Sequence, residues 1–91
     1  KEGAMLLTSV LIAPMQLKFG EWFSLRRRQK RLSQGDVAKA LQIKPQTISN
    51  WENEKTIPNL DLDQFFRLCG LFDVTVEELA RAFRGELEIN D

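Results

Sequence analysis

A run of amide and hydroxyl side chains lies on one side of a short segment, residues 45–53. Stepping 100° per residue, as in an α-helix, places the apolar pair Ile48 and Trp51 on one side. The opposite side has no carboxylate and no large apolar group, and it consists of Gln46, Ser49, Asn50 and Asn53. Amides and hydroxyls pair with base edges, and Gln and Asn suit N6 and N7 of adenine. The pattern predicts a helix that reads bases; the alternative is a merely solvated face, which usually mixes Lys and Glu.

A second helix is predicted immediately before this one. Ser33 is placed as its N-cap, with Asp36 three residues later, and an apolar face follows. The connection, residues 42–44, is very short, and Pro45 stands at the first helical position of the next helix, where its missing N–H is harmless. Two helices joined by three or four residues have the geometry of a helix-turn-helix, whose second helix fits the DNA major groove.

Three further helices complete the predicted all-α domain of five short helices. The first follows the i, i+3, i+4 spacing of Phe19, Trp22 and Phe23 and runs on to about residue 30. The fourth begins after the cap segment 61–64, and the fifth opens with the capping box 75–78. Residues 17–85 are therefore expected to form the domain, between an N-terminal arm or tail, 1–16, and a C-terminal tail, 86–91.

The composition argues against an enzyme. The 91 residues include no His, and 43% hydrophobic with 29% charged residues is typical of one globular domain. Its single cysteine, Cys69, lies on the apolar face of the fourth helix and is expected in the core. Acidic pairs stand at predicted helix N-termini, where capping explains them. We expect no catalytic residue, no metal and no cofactor, and a reducing cytoplasm fits the cysteine usage.

The charges are unevenly distributed although they sum to zero. Residues 1–60 hold ten Lys/Arg and five Asp/Glu, whereas residues 61–91 hold three Lys/Arg and eight Asp/Glu. Only the basic half is a candidate for contacting phosphates. Within it, the basic run 26–31 fits either a nucleic-acid or localisation signal or a solvated helix C-terminus, where cations favour the helix dipole.

The N-terminal segment 4–13 is apolar. At about ten residues it is too short to span a bilayer, which needs ~20, so no membrane association is expected. A signal peptide is conceivable, but no small-x-small cleavage site is convincing. The segment is either a tail partly docked on the domain or an arm that pairs with a second subunit. Leu6, Leu7, Val10, Leu11 and Ile12 form too much apolar surface to leave bare in a monomer, which favours a contribution to a homodimer.

The spaced residues of segment 32–52 resemble the lambda-repressor-like, or Xre-type, helix-turn-helix family. The resemblance rests on Leu32-Ser33-Gln34, Val37-Ala38, Leu41, Ile43, Thr47-Ile48-Ser49 and Trp51-Glu52, and it extends over about residues 17–84. It implies that Gln34 and Asn53 hold backbone phosphates, and that the base-facing residues are Gln46, Thr47, Ser49 and Asn50. It further implies an ion pair between Arg27 and Glu52 and binding as a dimer to two half-sites. Lys55 is expected to contact a phosphate.

Three positions depart from the family pattern. Arg31 stands in a turn where such proteins often have Gly, and Glu54 replaces the glycine of the usual Asn-Gly-Lys. Glu54 is expected to add a negative charge close to the phosphate path. Pro45 occupies a place where a side chain could have touched DNA.

These observations predict a transcription regulator, in particular a repressor, that binds a short double-stranded DNA operator as a homodimer. The alternative is a protein-interaction module of the same fold, an antitoxin or adaptor whose acidic C-terminal half binds a protein partner.

Overall fold

The computed structural model describes residues 16–86, which form five helices and no strands. The helices are α1 (Phe19–Gln29), α2 (Gln34–Leu41), α3 (Pro45–Glu52), α4 (Leu62–Phe72) and α5 (Val76–Phe83). This confirms the predicted all-α, five-helix fold. Helix α3 ends at Glu52, one residue before the predicted end, and Asn53 is its C-cap. The predicted arm and C-terminal tail lie almost entirely outside the described residues.

Three of the helices, α2, α4 and α5, begin with a capping box. At α2 the Asp36 N–H donates to the Ser33 hydroxyl (2.9 Å), and the Ser33 N–H donates to the Asp36 carboxylate (2.8 Å). This second bond is the main reason why the pKa of Asp36 is lowered from its ordinary value. The same arrangement joins Asp61 with Gln64 and Thr75 with Glu78. Capping boxes are local in sequence, so they mark helix starts that can be read from the chain alone.

Within the described residues 16–86, four residues other than glycine adopt the left-handed backbone conformation at helix ends or turns. They are Arg31 (φ 59°), Gln42 (φ 60°), Glu54 (φ 59°) and Asp73 (φ 56°). This conformation is unfavourable for a residue with a Cβ atom. Two of the four, Arg31 and Glu54, are the positions at which the family usually has glycine, so the chain keeps the turn geometry with side chains attached.

The core joins all five helices and contains a cluster of aromatic rings. Phe23 is fully buried and packs edge-on against Trp51 (ring centroids 5.8 Å apart) and Phe72 (4.9 Å). Ile48 is fully buried beside them, so the apolar side of α3 is the side predicted from the sequence. Cys69 is a buried member of the same cluster, and burial raises the pKa of its thiol.

Helix α4 supports the C-terminus of α2. The Gln64 Nε2 group donates to the carbonyl oxygen of Leu41 (3.0 Å), and an Arg67 Nη1–H donates to that of Ala40 (3.2 Å). The last carbonyls of a helix have no partner within the helix. These two side chains therefore satisfy the end of α2 just before the turn that leads to α3.

Candidate nucleic-acid interface

The turn between α2 and α3 is compact and hydrogen-bonded. The Ile43 N–H donates to the carbonyl of Ala38 (2.9 Å), and Gln42 supplies the left-handed residue that ends α2. Pro45 then opens α3, with Lys44 as its N-cap. The two helices of the motif are thus joined by three residues, as the spacing predicted.

The outer face of α3 carries a hydrogen-bonded pair of amides. Gln46 is exposed, and its Nε2 group donates to Asn50 Oδ1 (3.0 Å) one turn later. The second Gln46 N–H, the Gln46 Oε1 atom and the Asn50 NH₂ group remain as donors and acceptors for a ligand. Thr47, by contrast, is half-buried at the edge of this face. The pair therefore presents a preformed set of hydrogen-bonding groups on the side opposite Ile48 and Trp51.

Asn53 is turned back onto its own helix. Its Nδ2 atom donates to the Ser49 carbonyl (2.9 Å) and lies 3.3 Å from the Ser49 hydroxyl. The Asn53 amide nitrogen is thus directed at Ser49. Lys55, two residues further on, is exposed to solvent.

A nearly buried carboxylate, Glu52, lies on the inner side of α3. Arg27 donates to it from Nε (2.7 Å) and from Nη2 (3.1 Å), and the Gln34 Nε2 group donates to the same carboxylate (3.0 Å). The side chains of Arg27 and Glu52 are only 14% and 7% exposed. Arg27 also donates from Nη1 to the carbonyl of Leu32 (2.9 Å). The group of residues Arg27, Gln34 and Glu52, which we call the Glu52 network, joins α1, α2 and α3.

Glu54 is held by the first turn of α1. Its carboxylate accepts a hydrogen bond from the Gly20 N–H in the first turn of α1. A helix N-terminus favours a negative charge, because its first N–H groups have no partner within the helix. The carboxylate therefore stabilises the start of α1, and the closeness of Glu54 to a phosphate path stays a prediction.

Gly20 is a residue whose role the sequence did not reveal. A Cβ atom at this position would lie 2.6 Å from the carbonyl oxygens of Trp51 and Glu52. No side chain can be accommodated at such distances, so α1 approaches the C-terminal end of α3 through this glycine. A glycine in the first turn of a predicted helix was the signal that could have indicated the contact.

The basic run on α1 is partly paired with the acidic half of the chain. Arg26 contacts Glu78 of α5 (3.3 Å), and Lys30 contacts Asp73 at the end of α4 (3.5 Å). Together with Arg27, which pairs with Glu52, three cations of the run therefore have a structural role. Arg28 and Arg31 remain exposed.

Within residues 16–86, no group of three or more His, Cys, Asp or Glu side chains is placed to hold a metal ion. Over the same residues, no helix has the length and apolarity needed to cross a membrane.

A family model described as helix-turn-helix (HTH_3) matches residues 24–79, which is more than half of the chain. The protein therefore belongs to the helix-turn-helix family of the Xre, lambda-repressor-like type, as the motif indicated. This membership supports a DNA-binding regulator rather than an enzyme. A search of curated proteins found no matching sequence.

Solved structures share the fold. The P22 c2 repressor protein, in complex with the synthetic operator 9T, is 23% identical with a TM-score of 0.61, over 72% of this chain and 97% of that one. The hydroxypropylphosphonic acid epoxidase from S. wedmorenis is 28% identical with a TM-score of 0.56, over 67% of this chain. The match covers only 31% of the epoxidase chain. Because most of that enzyme lies outside the match, its activity is not transferred to this protein.

Proposed function

We propose that this protein is a sequence-specific transcriptional regulator, acting as a repressor, that inserts α3 into the major groove of double-stranded DNA. The observation that carries the proposal is the amide pair Gln46 and Asn50 on the outer face of the second helix of a helix-turn-helix. Backbone phosphates give affinity without sequence information, whereas groups that reach base edges give specificity. A preformed pair of amides on this helix supports specific binding.

The two amides are proposed to read bases as one unit, with Ser49 and Thr47 beside them. The hydrogen bond between Gln46 and Asn50 limits the rotamers of both side chains before DNA arrives. It also leaves one acceptor and several donors toward the groove, a set that matches the N7 acceptor and N6 donor of adenine. Because the two side chains are coupled, replacing one is expected to alter the contact made by the other.

Phosphate contacts are proposed for Lys55, Gln34 and Asn53, which surround this helix. Lys55 is exposed and is the cation next to the C-terminus of α3. Gln34 donates one N–H to Glu52, so its second N–H is available to a phosphate oxygen. Asn53 donates to the Ser49 carbonyl at the end of the same helix.

The regulator is proposed to bind as a homodimer to two half-sites one helical turn apart, as dimeric helix-turn-helix proteins do. The P22 c2 repressor, whose fold this chain shares, was solved in complex with an operator. Selection of bound sites from random duplex DNA tests the proposal, because a winning palindrome would indicate both sequence-specific binding and a two-fold assembly.

The assignment of base and phosphate contacts is tested by competition between the selected duplex and a scrambled one at several salt concentrations. Gln46→Ala and Asn50→Ala should each lower the cognate-to-scrambled affinity ratio by about 5- to 150-fold, the value of a bidentate contact, with an unchanged salt slope. Lys55→Ala should weaken both duplexes alike and reduce the salt slope by about one unit.

Matched variants control for general effects. Gln29→Ala removes an exposed amide from α1, and Lys30→Ala removes a cation that contacts Asp73, so neither should alter the ratio or the slope. If Gln46→Ala and Asn50→Ala leave the ratio intact, α3 is not the reader. A protein-interaction module, an antitoxin or adaptor, then becomes the better description.

A further inference from the structure

Helix α4 carries two large apolar side chains that the described residues leave more than half exposed. Leu62 is 70% exposed and Phe66 is 54% exposed. They are four residues apart and therefore lie on the same face of the helix. Single exposed apolar residues are ordinary, but a contiguous apolar stripe on a helix indicates a binding surface. We call the face formed by Leu62, Phe66 and Gly70 the α4 stripe.

Gly70 continues this stripe one turn further. It lies inside the helix, where glycine is less favourable than alanine. A Cβ atom built on it would meet no atom of the described residues within 4 Å. Packing within residues 16–86 therefore does not require glycine here. A glycine at this place does allow the backbone of another helix, or a large side chain from it, to approach closely.

An ion pair borders the stripe along one side. Arg67 Nε lies 3.0 Å from Asp63 Oδ2, and the two side chains are 47% and 72% exposed. If two antiparallel α4 helices are related by a two-fold axis perpendicular to the plane that contains them, this ion pair lies on the same side of both helices. Asp63 of one copy then comes within reach of Arg67 of the partner subunit, and the reverse pair forms at the same time.

We propose that α4 packs antiparallel against α4 of a second copy of this chain, which deepens the homodimer of the proposed function. With the two-fold axis at Phe66, the two Phe66 rings meet, and Leu62 of each copy lies over Gly70 of the partner subunit. In this arrangement the open space above Gly70 receives Leu62 of the partner subunit, and each border charge lies near an opposite charge of the partner subunit. The apolar segment 4–13 of the chain is a poorer occupant, because it has no charged residue to pair with Asp63 and Arg67.

A contact between two helices of 11 residues is small compared with stable protein interfaces. The association should therefore be weak and reversible. Sedimentation equilibrium of the full chain without DNA measures it directly. We expect a monomer–dimer equilibrium, and Phe66→Gln should raise the dissociation constant by at least about tenfold, since buried aromatic side chains dominate interfaces. Leu25→Gln, which removes an exposed apolar side chain from α1, should leave it unchanged.

A mixing experiment tests the pairing between subunits. Asp63→Arg alone and Arg67→Glu alone should each weaken self-association by about tenfold. In each variant positions 63 and 67 carry like charges, and the two-fold symmetry places this repulsive pair in the interface twice. An equimolar mixture of the two variants should associate at least as tightly as the unaltered chain, since every border pair is then of opposite sign. Only pairing between chains produces that recovery. Circular dichroism melts establish that both variants are folded.

Three results would overturn the proposal. They are a chain that stays monomeric at all concentrations, a mixture that associates no better than its components, and a dimer that survives Phe66→Gln but disappears when residues 1–14 are deleted. Because self-association is measured without DNA, a failure to bind any duplex would contradict the proposed function and would not affect the conclusion that α4 packs against a second copy. Conversely, Phe66→Gln should retain binding to a single half-site.

Discussion

Replacing Arg27 with Met should destabilise the protein by about 3 kcal/mol, at the lower end of the cost of removing one partner from a buried ion pair. The change removes two hydrogen bonds to Glu52 and one to the carbonyl of Leu32. Met fills much of the volume of the arginine stem, so the loss is mainly electrostatic. Glu52 keeps its bond from Gln34, which is why the expected cost does not approach the upper end of the range.

The double variant Arg27→Met, Glu52→Gln provides the control. A neutral amide still accepts a hydrogen bond from Gln34 and carries no charge that needs a partner. The double variant should therefore be more stable than Arg27→Met alone, although it has lost the whole ion pair. Urea unfolding measures the free energies of unfolding, and the m-value should not change. The melting temperature of the single variant should fall by at least about 12 °C. A loss below about 0.5 kcal/mol, or a double variant less stable than the single one, would refute the reasoning, since breaking a buried pair is the costly step.

The other predictions concern backbone positions. Arg31→Gly should stabilise the protein by roughly 0.5–1 kcal/mol in urea unfolding, since glycine relieves the left-handed conformation. Glu54→Gly gains the same relief but loses the carboxylate that accepts from the Gly20 N–H, and so should be about 1–2 kcal/mol less stable than Arg31→Gly; equal stabilities would mean that this hydrogen bond contributes nothing. Gly20→Ala should cost about 2–3 kcal/mol by pushing α1 away from α3, and a wild-type melting temperature would contradict the close approach. Gly70→Ala should raise the stability of the dilute monomer by about 0.5–1 kcal/mol, and a loss would show that packing requires this glycine.

The helices were predictable because their signals are local. Ser33, Asp61 and Thr75 mark their helix starts through hydrogen bonds to residues only three positions away. The inner face of α3 was also predictable, since the spacing of Ile48 and Trp51 defines it without any knowledge of the partner helices. The ion-pair geometry of Arg27 and Glu52 agrees with what the family resemblance implied.

Contacts between distant residues were harder to predict. The pairing of Glu54 with Gly20 spans 34 positions and depends on the angle at which α1 meets the end of α3. The direction of Gln34 toward Glu52 likewise depends on side-chain rotamers at a junction of three helices. Spacing along one helix contains no information on such angles. The pairs Arg26 with Glu78 and Lys30 with Asp73 show the same limit, because the charge asymmetry alone did not indicate that the two halves are in contact.

The Glu52 network has a consequence for how the molecule opens transiently. Separating α1 or α2 from α3 removes a donor from a nearly buried carboxylate, so no one of the three helices can unfold locally without a large energetic penalty. Amide protons in α1, α2 and α3 should therefore exchange with solvent deuterium as one cooperative unit. Helix α5 is joined to α1 in part by the half-exposed pair of Arg26 and Glu78, and its amides should exchange through a separate opening of lower free energy. The helix proposed to read DNA would then belong to a slowly exchanging unit of the described chain.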